Sequence, residues 1–387
     1  MAFDFIARQL ETTRQAKQYR QLIPNVGGNQ CQTQLNKQSF VNFSHNDYLG
    51  LASDKEVILA ANHANVAYGV GSGGSPLVCG HSWLHQYLQD QICDVTELDS
   101  AMLFSSGFAA NSGVIATLLN KNDLLLQDKL NHASLMDAGI HSPATMKRFK
   151  HNDMAHLTKH LTKASDYDNR LLVTEGVFSM DGDCGSLAHL AQLSHDHDAW
   201  LMVDDAHGFG VNGQGRGSCA MADVKPDVLM ATFGKAIGTS GAFVAATHET
   251  IEFLTNYCRH YIYSTALPIS VVAATIKSIE LAQQPWRLEK LNHRIAYFKQ
   301  QAEKLGLKLM PSHSAIQPMV IGGSEETLIV SQYLKSQGLL VGAIRPPTVA
   351  KDSARLRITL SASHELSDID NLLNALDSSR DRLGATQ

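Results

Sequence analysis

Between residues 100 and 250 the chain alternates short apolar runs with segments of helical spacing. The runs are AMLFSS (101–106), DLLLQ (123–127), RLLVTEGVF (170–178), AWLMVDD (199–205), DVLMATF (227–233) and GAFVAAT (241–247). Runs this short and this continuously apolar fit strands buried on both faces. Helical segments between them make βα units and a mainly parallel sheet. One interval breaks the rule. About eight residues separate Phe233 from Gly241, and a parallel crossover needs about a dozen or more. GAFVAAT is therefore predicted to run antiparallel to its neighbour, in an otherwise parallel sheet.

The flanks have a different texture. Apolar spacing at Phe5, Ile6 and Leu10 predicts a helix over residues 3–22. After Pro268 a helix is predicted from Ile269 to Ala282, and QQPW (283–286) interrupts it. A second helix runs through Leu288–Leu305, and LKLM, QPMVIGG, LLVGAIR and ARLRITL follow, interleaved with helical segments. The expected division is an N-terminal helical segment over 1–45, a large domain over 46–279 and a smaller α+β domain over 280–387.

Composition narrows the class. Of 387 residues, 44% are hydrophobic and 18% charged, the balance of a soluble globular chain. A net charge of −5 argues against a nucleic-acid surface. No apolar run approaches the ~20 residues of a membrane span. The N-terminus lacks the apolar stretch of a secretory signal. The six cysteines are scattered without a CxxC pair, which suits a reducing compartment, so a cytoplasmic location is expected. HDHD (195–198) is read as a solvated helix end and not a metal site, and the basic run MKRFKH (146–151) as a solvated face. GVGSGG (69–74) and GFGVNG (208–213) both match GxGxxG. The first follows a helix and the second opens none, so neither is a dinucleotide fingerprint.

Candidate chemistry gathers at the ends of the predicted strands, where open α/β sheets bind ligands. In SSGFAANSG (105–113), Gly107 permits a tight turn into a helix whose free N–H groups suit a phosphate. LNHASLMDA (130–138) puts His132 just before a helix, where an imidazole could lie on an aromatic ring. VTEGVFSMDGD (173–183) supplies Glu175, Ser179 and Asp181. In VDDAHG (203–208), Asp204 ends a strand with His207 three residues on. In ATFGKAIG (231–238), Lys235 follows a strand between Gly234 and Gly238. A carboxylate at Asp204 could keep a pyridinium protonated, which pyridoxal phosphate needs in order to act as an electron sink.

These motifs resemble the α-oxoamine synthases, a branch of the fold type I pyridoxal-phosphate enzymes. The likeness runs from SHNDYLGLA (44–52) through GSGGSPLVCGHS (71–82), NHAS, EGVFSMDGD, VDDAHGFGVNGQGRG, TFGKAIG and YSTALP (263–268) to AIRPPTV (343–349) and RLRITLSASH (355–364). It implies an α/β fold with a mostly parallel seven-stranded sheet and one antiparallel strand, and pyridoxal phosphate held as a Schiff base on Lys235. Asp204 would hold the ring nitrogen, His207 the phenolic oxygen, and His132 would stack on the ring. Gly107, Phe108, Ser179 and Thr232 would line the cofactor. Thr265 would reach a phosphate in the neighbouring subunit's site, which implies a homodimer. Arg345 would pair with the substrate carboxylate, Arg20 and Thr348 would contact the acyl substrate, and Asn46 and Glu175 would lie nearby. The stretches GSGGSPLVCGHS and AIRPPTVAKDSARLRITLSASHE are most similar to the branch that condenses L-alanine with pimeloyl-CoA, or the pimeloyl carrier protein, and releases CO2. Glycine with acetyl-CoA is the alternative within the family. A non-catalytic partner subunit, the alternative outside it, is expected to lack the lysine that stands here at Lys235.

Overall fold

The computed structural model describes residues 2–16, 18–26, 30–35 and 37–380. Its strands, in chain order, begin with β1 (Gln32–Leu35), β2 (Gln38–Asn42), β3 (Ser100–Phe104), β4 (Leu124–Asp128), β5 (Thr145–Phe149) and β6 (Arg170–Glu175). They continue with β7 (Trp200–Asp204), β8 (Val228–Thr232), β9 (Ala242–Ala246), β10 (Ile316–Gly322), β11 (Leu339–Leu340), β12 (Gly342–Ile344) and β13 (Ala354–Thr359).

The central sheet has seven strands in the order β3-β9-β8-β7-β6-β4-β5. Its reversed strand is β9, antiparallel to both β8 and β3. This follows the spacing argument. Phe233 N–H donates to Gly241 O at 2.9 Å and Thr239 N–H to Phe233 O at 2.8 Å, so the chain turns straight back. The turn requires Gly238, whose φ is +69° and where a Cβ would stand 2.4 Å from Ala52 N. Six of the strands run in one sense, so their C-terminal ends share one edge of the sheet. β4, β7 and β9 are buried almost throughout, because helices cover both faces.

Two elements depart from the sequence reading. β5 lies at the sheet edge in the stretch TMKRF, which holds four of the six residues of the basic run read as a solvated face. Edge position explains the charge, since only Phe149 of this strand is buried. The N-terminal helix α1 spans Phe5–Gln15, shorter than 3–22, and buries no residue. With no packing to support it, little beyond intrinsic propensity sustains the helix.

Of the later helices, Ile269–Ala282 matches its sequence boundaries and Pro285–Lys304 follows directly, with Pro285 in the first turn where its missing N–H costs nothing. A second sheet, β10-β13-β12, lies in the C-terminal part. A third joins the two ends of the chain: β11 pairs in parallel with β2 and β2 with β1. No helix is long and apolar enough to cross a membrane among the described residues.

Candidate active site

The ends of β3, β6, β7 and β8 and the start of the helix after β4 converge on one cavity of about 140 Å³. Gly107, His132, Glu175, Asp204, His207, Thr232 and Lys235 all line it. Local chemistry fixes each side chain.

Helix α2 (Gly107–Leu118) begins directly after β3. Ser106 is its N-cap and its side chain accepts Ala109 N–H, while Gly107 and Phe108, whose first-turn N–H groups have no partner within the helix, line the cavity. A Cβ on Gly107 would meet Thr232 Cγ2 at 2.7 Å, so only glycine lets α2 approach β8 this closely. Helix α3 (Ala133–His141) begins with His132 itself as N-cap. The ring Nδ1 accepts Ser134 N–H at 3.2 Å, which leaves the other ring nitrogen to carry the proton in the neutral form.

Asp204 is buried at the end of β7. Its Oδ1 accepts Ala206 N–H at 3.0 Å and its Oδ2 accepts Asn111 Nδ2 at 2.8 Å. Asn111 also donates to Ser134 Oγ at 2.9 Å, and that hydroxyl lies 2.8 Å from His132 Nδ1. One hydrogen-bonded chain, His132–Ser134–Asn111–Asp204, therefore sets imidazole and carboxylate relative to each other. His207 is buried, with Nδ1 2.6 Å from Tyr48 Oη.

Electrostatics makes the site basic where a base is useful. Burial lowers the Lys235 pKa against the pull of Asp204 and Glu175, and Arg357 lowers it further. The lysine Nζ donates to Thr232 Oγ1 at 3.1 Å. Burial also lowers His132 and pushes His207 well below its ordinary value, the latter helped by the charges of Lys235 and Arg357. Glu175 is raised well above its ordinary value by burial and then by Asp204, although it accepts His132 N–H at 2.5 Å. Burial thus favours the neutral form of both imidazoles and of the glutamate. Burial raises the Tyr48 phenol to about 12, so it stays a donor or acceptor and never an anion.

A larger cavity of about 900 Å³ shares His132 with the first. Ser179, Asp181, Thr348 and Arg355 line it, with Met136, Phe178, Met180, Met310 and Pro311 supplying apolar wall. The other expected site residues lie apart. Arg20 is exposed in the segment after α1, and Phe108 is 48% exposed at the mouth of the small cavity. Arg345 is half-buried beside the cis Pro346–Pro347 bond and lines neither of these cavities. Thr265 is exposed beside a separate small cavity with His85 and Tyr261. Asn46 accepts Arg357 Nη1 at 3.2 Å.

Sequence reasoning missed Tyr48, Asn111, Ser134 and Arg357. Asn111 was within reach, because it lies four residues after Gly107 and so shares a helix face with it. Tyr48 and Arg357 meet the site only through long-range contacts, from the loop before residue 50 and from β13.

The donor set fits pyridoxal phosphate: a primary amine, a buried carboxylate for a ring N–H, a flat neutral imidazole, and a helix N-terminus beside a threonine for the phosphate. Comparisons with known proteins agree. The family model for aminotransferase class I and II matches residues 38–376. An 8-amino-7-oxononanoate synthase of Photobacterium profundum is 50% identical over 344 residues, 88% of each chain. One from Alcanivorax borkumensis is 46% identical over 380 residues, covering 97% of this chain and 98% of its own. Among solved structures, a serine palmitoyltransferase from S. paucimobilis with a bound PLP–myriocin adduct superposes with a TM-score of 0.92 at 27% identity, covering 99% and 98% of the two chains. The 8-amino-7-oxononanoate synthase of Francisella tularensis gives 0.77 at 27% identity, covering 89% and 98%. With half its residues shared with such relatives over most of its length, and a lysine, carboxylate and imidazole converging on one cavity, the chain belongs to the 8-amino-7-oxononanoate synthases, pyridoxal-phosphate-dependent acyltransferases of the aminotransferase class I and II fold.

Proposed function

We propose that the protein condenses L-alanine with a pimeloyl thioester, on coenzyme A or a carrier protein, to give 8-amino-7-oxononanoate, the free thiol and CO2. The observation that carries this reading is Lys235 held beside Asp204, His132 and Glu175 in one cavity that shares His132 with a larger, partly apolar one.

When bound, pyridoxal phosphate draws electron density from the amino acid's Cα into its ring. The residues supply the rest. Asp204, fixed by Asn111, holds the proton on the ring nitrogen. The Gly107 and Phe108 N–H groups and Thr232 hold the phosphate, with Ser179 at the boundary of the larger cavity. His132 covers one ring face, and His207, backed by Tyr48, donates to the phenolic oxygen. Lys235, its pKa lowered by burial, removes the alanine Cα proton and returns one to the same carbon after CO2 has left.

For the substrate carboxylate we propose Arg357, where the resemblance pointed to Arg345. Arg357 is buried, is bonded to Ser179 O at 2.7 Å and Asn46, and its charge acts on both Lys235 and His207. Glu175, whose protonated form burial favours, would donate a hydrogen bond to a substrate oxygen. Thr348 and the apolar residues of the larger cavity would face the acyl chain, with Arg20 reaching it from outside. Thr265 would complete the site of a second copy in a homodimer, and exposed Leu77, Val78, Trp83 and Tyr263 supply apolar surface for that contact.

The test is direct. Lys235→Ala should remove the visible absorbance of the lysine-bound cofactor and lower turnover by at least ~10³-fold, with the fold intact by circular dichroism. Normal turnover in that variant defeats the assignment. In the wild type, alanine with pimeloyl-CoA should release thiol much faster than glycine with acetyl-CoA, and the reverse order would select the glycine acetyltransferase reading.

A further inference from the structure

The basic run MKRFKH ends in a residue that the catalytic scheme leaves unused. His151 stands two residues after β5, half-buried, with Nδ1 3.0 Å from Asp128 Oδ1 and Nε2 2.7 Å from Asp183 Oδ2. Both ring nitrogens face carboxylates, and only an imidazolium can donate from both. Its edge meets the Phe178 ring at 4.4 Å between centroids and 87° between planes. Burial opposes the charge, but the hydrogen bonds the ring donates to the two aspartates, with their negative charge, outweigh it and push the pKa to about 10. The next residue extends the junction: Asn152 donates its N–H to Asp128 Oδ2 and its amide to Asp183 Oδ2 and Cys184 O.

Each aspartate governs a loop that reaches the site. Asp128 ends β4, and its Oδ1 accepts Leu130 N–H at 2.8 Å while its carbonyl accepts Asn131 N–H. That turn delivers His132. Asp183 O accepts Phe178 N–H at 2.9 Å, closing the loop that carries Ser179 and Asp181. His132, His151, Phe178, Ser179, Asp181 and Asp183 all line the larger cavity.

We propose that His151 is a positioning residue: it clamps Asp128 to Asp183, and so fixes the loops bearing His132 and Ser179 as one rigid wall of the acyl-substrate cavity. This rests on the proposed function for the identity of the cavity's occupant. Without the clamp, two carboxylates that now share a cation lose it, and only the neutral hydrogen bonds of Asn152 still join the loops they close.

The experiment uses the holoenzyme and His151→Gln. Three readouts are expected to change. The two low-field ring N–H proton resonances of His151 vanish. The visible circular dichroism of the bound cofactor falls by at least half, because the ring beneath it is less fixed. The KM for pimeloyl-CoA rises at least tenfold, while that for alanine changes less than twofold. His151→Gly with added imidazole should recover most of the acyl KM. Unchanged dichroism and acyl KM overturn the proposal, as does an equal rise in both KM values with unchanged dichroism, the signature of general loosening. Should His151→Gln fail to fold, Asp183→Asn cuts one arm only and is read by the same criteria. Absence of wild-type turnover with alanine and pimeloyl-CoA would count against the substrate reading alone, because the resonance and dichroism measurements need neither substrate.

Discussion

At the scale of single residues, the site is organised by groups whose neutral form burial favours. Glu175 is the clearest case, buried beside Asp204 with its pKa well above the ordinary 4.5. Above 4.5 the unfolded chain has lost this proton while the folded chain keeps it. Stability therefore falls as pH rises from 4.5 to the raised folded value. Glu175→Gln removes that slope, and its Oε1 can still accept the His132 N–H. The thermal midpoint of the variant should decline less steeply with pH than that of the wild type above 4.5. Parallel curves would mean that Glu175 is ionised in the fold. The two arginines make a second comparison. Arg357→Lys loses the planar fork of donors and should raise the alanine KM at least tenfold, whereas Arg345→Lys should leave it within about twofold. Steady-state kinetics at saturating thioester separates them, and the opposite ranking would return the carboxylate to Arg345.

At the scale of elements, helix α2 and strand β8 are joined by the absence of a side chain. Gly107→Ala would add helix propensity worth up to ~1 kcal/mol. It would also force a methyl to 2.7 Å from Thr232 Cγ2, an overpacking that costs about 1–3 kcal/mol. The clash should win. Displacing Thr232 also disturbs its bond with Lys235, so the variant should melt lower and release cofactor faster on dialysis. A higher melting temperature with unchanged retention would exclude this packing role. The same scale decides what the sequence could disclose. Strands β3, β4, β6, β7, β8 and β9 were legible because both their faces are buried, which writes a continuous apolar run. The reversal of β9 was legible from chain length alone. β5 was not, since an edge strand with one buried residue carries the same letters as a solvated loop. Lys235, Asp204, His207 and His132 were legible because each stands at a strand end or helix start. Tyr48 and Arg357 were not, because nothing local in either segment records a partner 159 or 178 residues away.

At the scale of the whole molecule, Thr265 separates two ways of building the site. It is exposed and lines a cavity apart from the one that holds Lys235. The segment around it is nonetheless held firmly: Ala266 N–H donates to Gly74 O at 3.0 Å, and His85 Nε2 lies 2.9 Å from Leu267 O. A fixed, exposed threonine amid exposed aromatic and aliphatic side chains suits a contribution to a neighbouring copy. Subunit mixing tests this without a structure of the complex. Thr265→Ala and Lys235→Ala proteins are each expected to be strongly impaired. If Thr265 serves the neighbour's site, a hybrid of the two variants contains one site with both wild-type residues and one with neither. Refolding them together in equal amounts then makes half of the dimers hybrids with one working site, and activity should recover to roughly a quarter of wild type. If Thr265 serves its own subunit's site, every hybrid site lacks one residue or the other, and mixing recovers nothing.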